Sequence, residues 1–211
     1  MGYYPIFLEL DGRPGVVIGG GAVAERKVEG LLREGAAVTV ISPALSARLE
    51  ALACQGRIRH VARAYRPGDL AGYQLAFVAT DDGEANAAVS REGKARGVWV
   101  NAADDPGHCD FILPSVLRRG ALVVAVATGG SSPALSRAVR EELEAYFTAD
   151  YAALADVAAE VRRELRARGH APSAATWRAA LDADLRGLLA EGRREEARLR
   201  LLAALGEATC R

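Results

Sequence analysis

The stretch Gly15 to Lys27, GVVIGGGAVAERK, constrains this chain more than any other, because an apolar run enters three consecutive glycines and leaves in a helical pattern. Gly19 can make a tight strand-to-helix turn, and Gly21 lets the backbone approach a pyrophosphate that the helix N-terminus then stabilises through its free N–H groups. The third position of the G-x-G-x-x-G/A pattern falls on Ala24, a residue small enough for close helix–strand packing. A glycine-rich turn alone can be a mere connection, so its neighbours have to support the reading. Val16 to Ile18 precede it as a strand, Val23, Val28, Leu31 and Leu32 follow at helical spacing, Gly35 stops the helix, and Val38 to Ile41 completes a βαβ unit. A dinucleotide is the expected ligand. The acidic residue usual at the end of the second strand is replaced by Ser42-Pro43-Ala44, where Ser42 could meet a ribose hydroxyl; Arg48 lies too far along to be placed at a 2′-phosphate, which favours NAD over NADP.

The same rhythm continues. A helix is expected from Pro43 to about Ala53, a strand at Ile58 to Val61, a buried strand at Gln74 to Thr80, a helix from Glu84 to Arg96 and a strand at Val98 to Asn101. Alternation of this kind predicts a Rossmann-like α/β domain with a parallel sheet over residues 1–110. Residues 111–128 instead read as a hairpin, with Arg118-Arg119-Gly120 leaving no room for a crossover helix, and Ser132-Pro133 opens the helix that follows. Residues 111–148 thus form a hairpin-and-helix segment. Residues 149–211 read as a helical domain: one helix marked by Leu154, Val157, Val161 and Leu165, a second capped by Ser173 and carrying Trp177, Leu181, Leu185 and Leu188, and a third over residues 193–205. A two-stranded sheet is marginal alone, so the middle segment predicts pairing in a homodimer.

Twenty-seven basic residues balance 27 acidic ones, so total charge calls for neither nucleic acid nor an anionic membrane. No apolar run approaches the ~20 residues of a membrane span and no basic leader precedes MGYYPIFLEL, which predicts a cytoplasmic protein. Cys54, Cys109 and Cys210 are too scattered for a disulfide framework or a metal pair and are expected to be reduced thiols.

For chemistry, Asp104 follows the last Rossmann strand at the carboxyl end of the sheet, where a carboxylate can act as a base, although Asp104 and Asp105 can equally cap a turn before Pro106-Gly107. His108, Cys109 and Asp110 alternate faces and do not make one metal site; His60 and His170 are expected to be solvated or satisfied. Arg118, Arg119, Arg137 and Arg140 offer bidentate partners for carboxylates, or a solvated surface.

Taken together, YPIFLEL, VVIGGGAVAERKVEGLL, FVATDD, NAADDPGHCDFILPSVLRRG and VAVATGGSSPALSRAVREELE resemble the precorrin-2 dehydrogenase family, which includes the N-terminal part of sirohaem synthase, over residues 3 to about 147. The resemblance implies NAD-dependent oxidation of precorrin-2, an octacarboxylate tetrapyrrole, to sirohydrochlorin, with Asp104 as acid/base group. It implies cofactor contacts at Gly21, Ala22, Val23, Ser42, Pro43 and Ala44, to which Gly19 and Thr80 are added. Arg118, Arg119, Arg137 and Thr128 are assigned to the substrate, Thr128 standing where some relatives carry a regulatory phosphoserine. Some members also insert ferrous iron, which would be a substrate, with no resident metal. Rival readings are an NAD-binding redox regulator, against which the interleaving of Arg162, Arg163, Arg166, Arg168, Arg193 and Arg194 with acids argues, and a chelatase keeping the nucleotide fold as scaffold.

Overall fold

The computed structural model describes residues 2–103 and 105–206, the side chain of residue 106 aside. The chain forms two compact units that divide between Ile112 and Leu113.

In the first unit, five strands, β1 (Pro14–Ile18), β2 (Ala37–Ile41), β3 (Ile58–Val61), β4 (Leu75–Val78) and β5 (Trp99–Ala102), form one sheet of order β3-β2-β1-β4-β5. Every pairing is parallel, with Val17 opposite both Val40 and Phe77. The central strands β1 and β4 are apolar without alternation because both sheet faces are covered there. Val17, Val40 and Phe77 pack on one face with Ala24, Val28 and Leu31 of α1 (Ala22–Arg33) and Leu49 and Leu52 of α2 (Ala47–Cys54). Val16, Ile18, Ala76, Val78 and Val100 pack on the other with Val89 of α3 (Gly83–Arg96). The chain reverses direction across the sheet between β1 and β4, which in open α/β sheets opens a ligand crevice at the carboxyl ends of the strands.

Helix α2 begins at Ala47 and not at Pro43. Ser46 caps it, its hydroxyl accepting from the Leu49 N–H at 3.3 Å, while Ser42 donates to the Ala44 carbonyl at 2.7 Å and holds the intervening residues as a loop. Beside α3, Glu92 ties down the segment between β3 and β4: its carboxylate accepts from the Tyr65 hydroxyl at 2.5 Å and from the backbone N–H groups of Gly68 and Leu70 at 2.9 and 3.1 Å. Arg96 pairs with it one turn on, at 2.7 Å.

The second unit starts with an antiparallel hairpin, β6 (Ser115–Arg119) and β7 (Leu122–Val126), followed by α4 (Pro133–Tyr146) with Ser132 as N-cap. The hairpin meets the C-terminal end of α4 through the Arg119 Nε, which donates to the carbonyl of the C-cap Phe147 at 2.6 Å, and meets the next helix, α5 (Asp150–Ala167), at Gly120, where a Cβ would lie 3.1 Å from Ala152. Helices α6 (Ala174–Ala180), α7 (Ala183–Ala190) and α8 (Arg194–Gly206) complete a bundle around Val157, Val161, Leu185, Leu201 and Leu205, all fully buried. Burial of each such leucine stabilises the bundle by roughly 1.5–3 kcal/mol. The expected single helix after Ser173 is two helices. Asp182 interrupts it, accepting from the Leu185 N–H at 2.9 Å and pairing with Arg200 at 2.6 Å.

Candidate functional site: the carboxyl edge of the parallel sheet

Three loops converge at the carboxyl ends of β1, β2 and β4. Gly19 has a φ of +119°, and a Cβ there would lie 2.1 Å from the Ala79 carbonyl oxygen, so only glycine fits where β1 passes the end of β4. At Gly20 a Cβ would lie 2.0 Å from the Ala44 carbonyl oxygen and 2.7 Å from Ser42 Oγ, and Ser46 N–H donates to the Gly20 carbonyl at 2.8 Å. Gly20 is therefore the residue that lets the loops after β1 and β2 touch. Sequence reading gave it no role, since the dinucleotide pattern leaves that position open.

Gly21 differs from both. A Cβ at Gly21 would meet nothing within 4 Å, and this residue is the N-cap of α1. Helices α2, α3, α4, α6 and α7 are each capped by a serine or aspartate side chain that accepts a first-turn N–H. Gly21 offers no such oxygen, and no side chain caps α1. Open space at the helix dipole's positive end, with Ala22 and Val23 in its first turn, fits a pyrophosphate in chemistry and in room.

Around this edge, the Ser42 hydroxyl spends its proton on Ala44, and the Ser42 carbonyl lies 2.9 Å from His60 Nε2, which accounts for that histidine. Thr80 Oγ1 accepts from the Asp82 N–H at 3.2 Å, and Asp82 in turn caps α3 through the N–H groups of Glu84 and Ala85. Asn86 donates to the Thr80 carbonyl at 3.3 Å, and its buried Oδ1 has no partner among the described residues. Arg48, the one cation considered for a 2′-phosphate, pairs with Glu29 at 3.1 Å.

At the end of β5, Asp104 lies outside the described residues, but the chain on both sides of it is pinned. Cys109 Sγ accepts from the Ala102 N–H at 3.2 Å and lies 3.2 and 3.3 Å from the carbonyls of Ala102 and Asp105, to one of which its proton goes. Burial pushes this thiol up, against the lowering effect of the Ala102 N–H, so it stays a protonated donor. Asp105 Oδ2 lies 2.6 Å from His108 Nδ1, and Asp110 accepts from the Val100 N–H at 2.9 Å. The side chains of residues 108, 109 and 110 thus go to three separate partners. Buried Asn101 donates to the Phe111 carbonyl at 2.9 Å and lies 3.4 Å from Lys27 Nζ, which sits 5.4 Å from the Phe77 ring centre. Nothing in sequence spacing brings Lys27 of α1 to Asn101 of β5; only the βαβ winding does so.

In the second unit, Thr128 spends its hydroxyl on the helix that follows: it accepts from the Ser132 N–H at 3.0 Å and donates to the Ser132 carbonyl or to Ser136. Arg118 and Arg137 are exposed, and Arg140 pairs with Glu141 and Glu144 of its own helix.

A family model described as putative NAD(P)-binding matches residues 6–115, and a second, described as sirohaem biosynthesis protein central, matches residues 119–146. The chain belongs to this NAD(P)-binding family of sirohaem biosynthesis. Among its relatives, a siroheme synthase of Methylobacillus flagellatus is 47% identical over 164 residues, covering 78% of this chain and 35% of that protein. A siroheme synthase of Methylococcus capsulatus is 40% identical over 206 residues, or 97% of this chain and 44% of that one. The chain thus spans between a third and a half of the length of these curated relatives. The solved structure of SirC, a precorrin-2 dehydrogenase, superposes with a TM-score of 0.70 at 27% identity, covering 97% of this chain and 98% of that one. The Rossmann-like sheet and the helical C-terminal region are therefore features the family member shares with a neighbour along its whole length, and its ligand class is a nicotinamide dinucleotide.

Proposed function

We propose that this family member oxidises precorrin-2 to sirohydrochlorin with NAD. The observation that carries the reading is the glycine-capped N-terminus of α1, where a Cβ at Gly21 would meet nothing within 4 Å, while α2, α3, α4, α6 and α7 each close theirs with a capping side chain. Gly19, Gly21, Ala22 and Val23 hold the pyrophosphate, Ser42, Pro43 and Ala44 flank the adenosine ribose, and Thr80 flanks the cofactor from the end of β4. The engagement of Arg48 with Glu29 supports NAD over NADP.

When bound, the nicotinamide supplies a hydride acceptor. The chain's own part is to orient the macrocycle and to move protons. Asp104 takes the proton lost from the macrocycle carbon skeleton, and the bracing of its neighbours by Cys109, Asp110 and the Asp105–His108 pair holds the segment in register with β5. Arg118, Arg119 and Arg137 meet substrate carboxylates, and Thr128 shapes the loop beside them. Ferrous iron entering sirohydrochlorin would be a second substrate, with Asp104 accepting pyrrole protons.

A homodimer completes the reading: Leu113, Val116, Leu135 and Tyr146 are exposed on the hairpin-and-helix segment, and Tyr4, Ile6 and Phe7 on the chain's start. No described helix is long and apolar enough to cross a membrane, which supports a cytoplasmic site of action. The test is anaerobic incubation with enzymatically generated precorrin-2 and NAD, followed by absorption. Conversion by the parent and loss of at least a hundredfold in rate in Asp104→Ala is the expected result; a folded, NAD-binding parent that leaves precorrin-2 unchanged overturns the reading.

A further inference from the structure

The helical unit holds a groove of about 1080 Å³ between α5 and α6, which none of the roles assigned above uses. Its floor follows from the sequence of α5, where Ala155, Ala158 and Ala159 fall at helical spacing on one face and leave a shallow apolar bed. Trp177 and Leu181 form part of the opposite wall. The next residues on the same face of α5 are Arg162, Arg163 and Arg166, and Arg178 faces them from α6.

These four arginines stand apart from their neighbours. Arg168, Arg193, Arg194, Arg198 and Arg200 each pair with an acid of the bundle, and Glu160 and Glu164 of α5 are taken up by Arg194, Arg168 and Arg198. Arg162, Arg163, Arg166 and Arg178 have no carboxylate partner among the described residues, although the chain as a whole is charge-balanced. Glu160 and Glu164 lie on the face of α5 opposite Ala155, Ala159 and Arg166 and are engaged there. What remains is an apolar bed fringed by guanidinium groups on both walls, with an indole at its side.

We propose that this groove is a second site, additional to the one that carries the reaction, and that it binds a flat polycarboxylate of the tetrapyrrole class. The choice of occupant rests on the precorrin-2 reading; the groove's chemistry does not. An apolar disc lies on alanine and stacks on an indole, while carboxylates at its rim meet arginines in bidentate pairs. An amphipathic acidic helix fits less well, because burying its apolar face on the bed turns its charged face away from both walls. The groove's volume lies just above the usual range for small-molecule sites.

The test uses uroporphyrin I, a stable octacarboxylate, on the full chain without NAD. The chain has two tryptophans, so Trp99→Phe leaves Trp177 as the sole indole reporter. Expected is saturable quenching of Trp177, weakened at least fivefold between 50 and 500 mM salt, and an affinity at least tenfold lower in Arg166→Glu/Arg178→Glu. The charge-matched control Arg91→Glu/Arg193→Glu stays within twofold, and thermal melts of both variants match the parent. No saturable quenching, quenching kept in the Arg166/Arg178 variant, or displacement by a 20-base-pair DNA duplex at lower concentration overturns the proposal. Because neither NAD nor precorrin-2 turnover enters the assay, the groove and the dehydrogenase reading stand or fall separately.

Discussion

The two units solve the same problem, how to place polar groups on a packed core, in opposite ways. In the sheet unit, charge is scarce inside, and a carboxylate that packs against the core is fixed by several bonds, as Glu92 is by Tyr65, Gly68, Leu70 and Arg96. In the helical unit, polar groups lie on the surface in ion pairs a turn apart, such as Arg193 with Glu196 and Arg198 with Glu195, over an all-aliphatic centre. The contrast teaches where each unit tolerates change. Precision at the sheet's carboxyl edge depends on backbone contacts that only glycine allows, whereas the bundle depends on apolar volume and leaves its charges replaceable.

The largest effect is expected where backbone meets backbone. Gly20→Ala drives a Cβ into the Ala44 carbonyl, so urea unfolding should show a loss of about 3 kcal/mol or more, or failure to fold. A midpoint unchanged from the parent would break the claim that the loops after β1 and β2 touch. Next comes Glu92→Gln, which removes the carboxylate from its four partners and is expected to cost about 2–3 kcal/mol by the same measurement.

Acid sharpens the comparison further. Burial alone would raise Glu92, but the bonds from Tyr65, Gly68 and Leu70 hold its carboxyl below the ordinary range, and the Arg63 hydrogen bond does the same for Asp69. Both groups bind protons less readily when folded than unfolded. Their stabilisation is therefore complete above the unfolded values of about 4 and is lost as pH falls through the lower folded ones. Guanidinium midpoints should decline below about pH 4 in the parent and decline less in Glu92→Gln. The smallest effect belongs to the bundle's surface: Arg193→Ala should leave the midpoint within error, because exposed pairs are screened by solvent and salt.

Much of this fold was legible because local chemistry agrees with tertiary need. Parallel strands covered on both faces spell continuous apolar runs, as at Val16–Ile18 and Leu75–Val78, and Ser132-Pro133 announces α4. Boundaries that depend on distant partners were not legible. The loop at residues 43–46 replaces a helical turn because Ala44 docks on Gly20, and Asp182 splits one expected helix while also engaging Arg200, which lies well beyond it in sequence. Of the site, Gly19 and Gly21 were readable from the turn pattern. Gly20, the Lys27–Asn101 contact and the Cys109 brace were not, since each exists only once the sheet has assembled.

One substitution separates nucleotide binding from folding. Gly21→Ala adds a methyl group where nothing lies within 4 Å, so its thermal midpoint should fall only by the few degrees that alanine costs at an N-cap. If that space receives the cofactor's phosphates, NADH fluorescence titration should show affinity weakened by at least tenfold, about 1.4 kcal/mol. Unchanged NADH affinity in a fully folded Gly21→Ala protein would contradict the claim that the open N-terminus of α1 is the cofactor site.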